Sequence, residues 1–192
     1  MLIPRMLTEV LGKQVLIAGL KGVRIGDPAS LIESLRKREE LSGLAFQLLN
    51  AERVAGEEHL LLSVLNALRA MELGLNVSPD LGIEILVSAS GQRQISKAIE
   101  LLGLRPGVMD VAVVLVSGAE EDLGGALEAL VSALGGERDD GVLDVDEAKA
   151  EELIKIFDIG RNELESCSRL GPMPEIVKAL VLEKVALFMA YR

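Results

Sequence analysis

Aromatic residues are scarce: Phe46, Phe157, Phe188 and Tyr191 are the only four in 192 residues, and tryptophan is absent. Three of them lie in apolar runs and are expected in the core. A recognition sheet that stacks RNA bases on exposed rings is therefore not expected. Cysteine is limited to Cys167, so no disulfide within the chain supports the fold and a reducing compartment is compatible. With a single histidine, His59, a tetrahedral His/Cys zinc site within one chain is excluded, and any Ser-His-Asp triad would have to use that residue. Charges interrupt every apolar stretch before the roughly 18 residues of a membrane span. The opening Met1-Leu2-Ile3-Pro4-Arg5 lacks the order of a signal peptide, so a cytoplasmic protein is expected.

Several catalytic motifs are missing too. Ser88-Ala89-Ser90-Gly91 lacks the Gly-x-Ser-x-Gly spacing of a nucleophile elbow. Gly19, Gly22 and Gly26 miss the dinucleotide-binding fingerprint, and no Gly-Lys-Ser/Thr phosphate loop occurs. No nucleotide-hydrolysing machinery is visible, and no cofactor or metal is expected.

What the chain has in quantity is apolar surface and acid. Hydrophobic residues make up 49% and charged residues 26%, enough for a core and against disorder. The length and the lack of linkers or repeats indicate a single domain over 1–192, with 1–13 as an N-terminal extension. The net charge of −10 argues against nucleic acid until it is mapped along the chain. Residues 1–117 hold 13 acidic and 12 basic residues, whereas residues 118–192 hold 17 and 8. The acidity belongs to the C-terminal part, in runs such as Glu120-Glu121-Asp122 that suit helix starts and a solvated surface.

Short β-branched runs alternate with helical stripes, the pattern of an α+β domain. The expected architecture is a two-layer sandwich, a mixed sheet of four to five strands with helices packed on it. Strands are predicted near Val15–Ile25, Leu44–Leu49, Ile83–Ala89 and Val111–Val116. Helices are predicted near Pro28–Arg38, Glu57–Leu73, Gln92–Leu102, Glu120–Leu134, Asp146–Phe157 and Pro174–Tyr191. Asp27-Pro28 supplies a capping side chain followed by proline at the first helical position, and Gly135-Gly136 and Gly160 mark stops.

Three places invite function. The segment Ile83–Ile95 reads as a strand entering a Ser90-Gly91 turn that opens a helix. Ile95, Ala98, Ile99 and Leu102 would face the core and Arg93, Ser96, Lys97 and Glu100 the solvent. Free amides, the helix dipole and two cations would then meet at an anion-friendly helix start. His59, with Ser63 and Asn66, falls on a polar face of its helix and is expected at the surface. In the last helix, Lys178, Glu183 and Lys184 are spread around the wheel with no continuous polar face. That helix must be buried on nearly all sides, by its own domain or partly by a second protein.

The segment Ile85-Leu86-Val87-x-Ala89-Ser90-Gly91-Gln92-Arg93-Gln94-Ile95 resembles the signature of the small kinase-binding subunit of the KEOPS (EKC) complex, the PRPK-binding protein family, in its archaeal form. Phe46-Gln47-Leu48-Leu49-Asn50-Ala51 with Val54 and His59, and Val181–Leu187, agree in content and order. The resemblance implies a non-catalytic subunit of the machinery that installs threonylcarbamoyladenosine in tRNA. Such a subunit binds and regulates a small atypical kinase/ATPase and grips the single-stranded CCA end of tRNA. Carried over, Gln92, Arg93 and Gln94 would lie near tRNA, with Gly91, Lys97, Asn50 and His59 as companions. The kinase-facing role falls to the last helix, at Ile176, Leu180, Glu183, Lys184 and Leu187. The sequence departs from the pattern at Ser88, where archaeal relatives carry arginine, and at Gln92, where lysine also occurs, so a thinner basic patch is expected. One rival is a small-molecule enzyme that binds a phosphate ligand at the Ser90-Gly91 turn with His59 as acid/base; another is a structural bridge that never touches RNA.

Overall fold

A computed structural model describes residues 6–118 and 122–191. Its centre is β2 (Lys13–Ile25), which pairs with β1 (Met6–Val10) along one edge and with β4 (Gly107–Ser117) along the other. β3 (Ala45–Asn50) adds to the far side of β4, and the short β5 (Glu137–Arg138) pairs with β2 beyond β1, at Leu20 and Lys21. The path runs β1-β2-β4-β3 and every pairing is antiparallel, so the α+β class holds but the sheet is not mixed. Within the 1–13 segment, Met6–Val10 forms a strand, its register running from Met6 opposite Ile17 to Val10 opposite Lys13.

The central strands are apolar at successive positions because both faces of the sheet are covered. Val15, Ile17, Ala112, Val114 and Val116 point into one cluster; Leu16, Ala18, Leu20, Val111, Val113 and Leu115 point into another. The second cluster is closed by α1 (Pro28–Arg36) and α5 (Leu123–Leu134), through Leu35, Leu123, Leu127 and Leu130. The larger cluster lies under α2 (Glu57–Glu72), α3 (Leu81–Ser90), α4 (Ile95–Leu102), α6 (Glu147–Ile156) and α8 (Met173–Ala190). Helices therefore cover both faces, a layer more than a two-layer sandwich has. The helix predicted from Glu120 is described from Leu123 onward; Glu120 and Glu121 lie outside the described residues. Between α6 and α8, α7 (Arg161–Ser166) is a short surface helix.

One predicted strand is a helix. Ile83–Ala89 belongs to α3, started by the Asp80 side chain, which accepts from the Ile83 amide at 3.1 Å, and stopped by Gly91 at φ 62°. Every residue from Glu84 to Ser90 is buried, because α3 packs against α2, α4, α8 and β3. A helix buried on all sides shows no amphipathic period. Gly82 permits the contact with β3, since a Cβ there would collide with the Phe46 carbonyl oxygen.

Candidate functional site

The α3–α4 connection is a helix–turn–helix corner. At its start the Ser90 hydroxyl donates to the Val87 carbonyl at 3.0 Å and accepts from the Gln92 amide at 3.2 Å. Gly91 takes the left-handed conformation that lets α3 end within one residue. Gln94 precedes α4 without a side-chain cap bond, so that side chain remains outward and exposed. Arg93 and Lys97 are exposed beside it, and the Arg93 guanidinium donates to the Tyr191 carbonyl at the end of α8.

These residues line a surface hollow of about 360 Å³, formed by Gly91, Gln92, Arg93, Gln94, Lys97, Phe188 and Tyr191. Two cations, two amide side chains and two of the chain's four aromatic residues thus meet in one place. Tyr191 is 75% exposed, the most open large apolar side chain among the described residues. Sequence reasoning brought the five turn residues together but missed the aromatic wall. The available signal was the chain's one tyrosine standing at the end of a largely apolar helix.

Asn50 and His59 do not join the hollow. Asn50 is buried at the end of β3, where its side-chain oxygen accepts from the Glu52 amide at 3.1 Å and caps a 3₁₀ turn. His59, expected at the surface, is fully buried. Its Nδ1 accepts from the Ala55 amide at 3.1 Å, its Nε2 donates to the Ala89 carbonyl at 2.8 Å, and its ring meets that of Phe157 edge-on at 5.6 Å. Burial pulls its pKa from 6.5 down to about 4, against the Ala89 bond and helped by the positive charge of Lys149. The polar stripe of α2 was misassigned as a whole. Ser63 donates to the His59 carbonyl one turn back in α2 at 2.6 Å and Asn66 to the Val185 carbonyl of α8 at 3.0 Å, so these polar side chains are satisfied inside the protein. Ile99, expected in the core, is 49% exposed, because α4 turns Ala98 and Leu102, with Ile95 and Leu101 beside them, toward the core and leaves Ile99 at the edge of that face.

The residues expected to face a kinase divide between the two sides of α8. Ile176 and Leu180 are buried with Val177, Val181 and Val185 in one stripe against α2 and α6. They are core, not docking surface. Glu183 and Leu187 point outward, and Lys184 is half-buried and paired with Glu163 of α7 at 2.9 Å. That bond and the Gly160 amide hold the Glu163 carboxyl below its ordinary pKa. The outward strip contains Glu183, Ala186, Leu187 and Ala190, with Leu187 43% exposed.

The family model described as "Kinase binding protein CGI-121" matches residues 24–187. The chain belongs to this family of kinase-binding proteins. It is also similar to a curated protein named "Regulatory protein Cgi121" from the archaeon Methanocaldococcus jannaschii, at 34% identity over 145 residues, which cover 76% of this chain and 85% of that relative. The CGI-121 match includes the α3–α4 corner and most of α8 but stops one residue before Phe188, so the aromatic wall lies just beyond it.

Proposed function

We propose that this protein is a cytoplasmic, non-catalytic regulatory subunit of the KEOPS tRNA threonylcarbamoyladenosine machinery. It binds the small atypical kinase/ATPase of that complex through the outward strip of α8 and recruits tRNA by its single-stranded CCA end. Membership of a kinase-binding family supports the first role. The observation that carries the second is the hollow at the α3–α4 corner, whose lining of Arg93, Lys97, Gln92, Gln94, Phe188 and Tyr191 suits an unstacked nucleotide. In such a site the bases lie on aromatic or guanidinium planes, amides read their edges and cations take the phosphates. Gly91 leaves the backbone open to close approach.

Arg93 pairs with a carbonyl in the free protein, so a phosphate has only to displace a neutral acceptor from it. A charge-assisted bond to phosphate is the stronger of the two. Arg93→Ala is expected to weaken tRNA binding by about 1–3 kcal/mol, with an unchanged circular dichroism spectrum. An unchanged dissociation constant in low salt contradicts the assignment. The enzyme alternative loses its acid/base group: both His59 nitrogens are engaged and the ring is sealed from solvent. Turnover by the isolated protein that disappears on His59 substitution would restore it.

A further inference from the structure

We propose that His59 is a positioning residue for the hollow, acting through the Ala89 carbonyl to hold the α3–α4 corner in place. The inference rests on the nucleotide-binding reading of that hollow and assigns His59 a role different from contact with the ligand. A helix leaves its last four carbonyls without partners inside the helix. At the end of α3, the Val87 carbonyl is taken by the Ser90 hydroxyl and the Ser88 carbonyl by the Gly91 amide at 3.2 Å, both within the corner itself. The Ala89 carbonyl alone of these three is taken by another helix, through His59 at 2.8 Å.

The corner therefore has a buried tie and a surface tie. The surface tie is Arg93 to the Tyr191 carbonyl, and a ligand that recruits Arg93 breaks it. His59 then remains to fix Ser90 and Gly91. Its tautomer follows from its partners: a backbone amide can only donate and a carbonyl can only accept, so Nδ1 is bare and Nε2 carries the proton. The Ala55 end is anchored in turn, because Ala55 is buried in the loop that enters α2.

The two bonds can be separated. Asparagine places its amide where Nδ1 stands and keeps the Ala55 contact, whereas glutamine reaches the Nε2 position and keeps the Ala89 contact. Both variants lose one buried bond and the Phe157 contact, so comparable losses of thermal stability are expected. The readout is the dissociation constant for a single-stranded RNA oligonucleotide ending in CCA, measured on the full chain below both melting transitions. His59→Gln is expected to bind within about twofold of wild type, and His59→Asn to bind about fivefold more weakly, the factor one net hydrogen bond is worth. Equal binding by the two variants overturns the proposal.

One readout depends on neither RNA nor the variants, and a second needs the folded variants but no RNA. Nitrogen-15 shifts of the wild-type imidazole are expected to report the Nε2–H tautomer, and an Nδ1–H tautomer overturns the proposal. In His59→Asn the Gly91 and Gln92 amides are expected to exchange with solvent faster than in His59→Gln, and equal rates again overturn it. Failure of the underlying reading is distinguishable: Arg93→Ala then leaves RNA binding unchanged while the tautomer and exchange results stand.

Discussion

At the residue scale, His59 shows how much one side chain can be asked to do when it is the only one of its kind. Buried and neutral, it joins the loop before α2 to the end of α3. Its folded pKa of about 4 lies below the unfolded value of 6.5. Between those values the unfolded chain holds a proton that the folded chain excludes, so stability rises with pH across the window. The contribution is present in full above pH 6.5 and is lost as pH falls through 4. A shift of that size in a sealed site amounts to about 3 kcal/mol. Urea denaturation at pH 7 and pH 4.5 is expected to show a loss approaching that figure, and His59→Gln is expected to remove most of the pH dependence. An equally steep acid loss in the variant assigns it to carboxylates instead.

At the scale of elements, α8 has two faces with opposite tolerances. Leu180 is 3% exposed against α2 and α6, and Leu187 is 43% exposed on the far side. A carboxylate at Leu180 would be buried without a partner, which costs several kcal/mol, so Leu180→Glu is expected to unfold the domain. Leu187→Glu is expected to leave circular dichroism and melting temperature nearly unchanged and to abolish co-purification with the kinase. A folded Leu187→Glu variant that still binds moves the docking surface elsewhere. The same helix shows where sequence reading succeeds. Its all-round apolar wheel required cover on nearly every side, and the core stripe and outward strip divide that surface. What the wheel could not supply is which stripe meets which neighbour, hence the misplacement of Ile176 and Leu180. For α3 the obstacle was burial itself: a helix enclosed on every side carries no period, and its β-branched residues read as strand. Only the caps Asp80 and Gly91, with ten residues between them, pointed to a helix. In α2 the polar face of His59, Ser63 and Asn66 misled because bonds inside the protein, to Ala89 and Val185 on other helices and to the His59 carbonyl within α2 itself, engage polar side chains as well as solvent does. The strands β2, β3 and β4 and most other helices were legible, because caps and apolar runs there agree with the tertiary packing.

At the scale of the whole molecule, the charge is uneven. The net charge of −10 comes almost wholly from residues 118–192, while both cations of the hollow, Arg93 and Lys97, come from the nearly neutral part, and the acidic part contributes only Phe188 and Tyr191 to its wall. With two cations at the site, the logarithm of single-strand RNA affinity is expected to fall against log salt with a slope of about −1.4. A slope several times steeper would mean that a basic surface elsewhere carries the binding. On the proposed reading, shallow salt dependence would mean that this protein supplies position, and that most long-range attraction to tRNA comes from its partners.

The central claim is that the corner between α3 and α4 holds the RNA 3′ end. It is tested most directly by equilibrium binding of one tRNA, with its CCA end intact and with it removed, to wild type and to Arg93→Ala. Removal is expected to weaken wild-type binding by about tenfold or more, in line with one or two lost contacts, and to change little in the Arg93→Ala variant, which has already lost its grip. Equal affinity of wild type for the intact and trimmed tRNA would contradict the account.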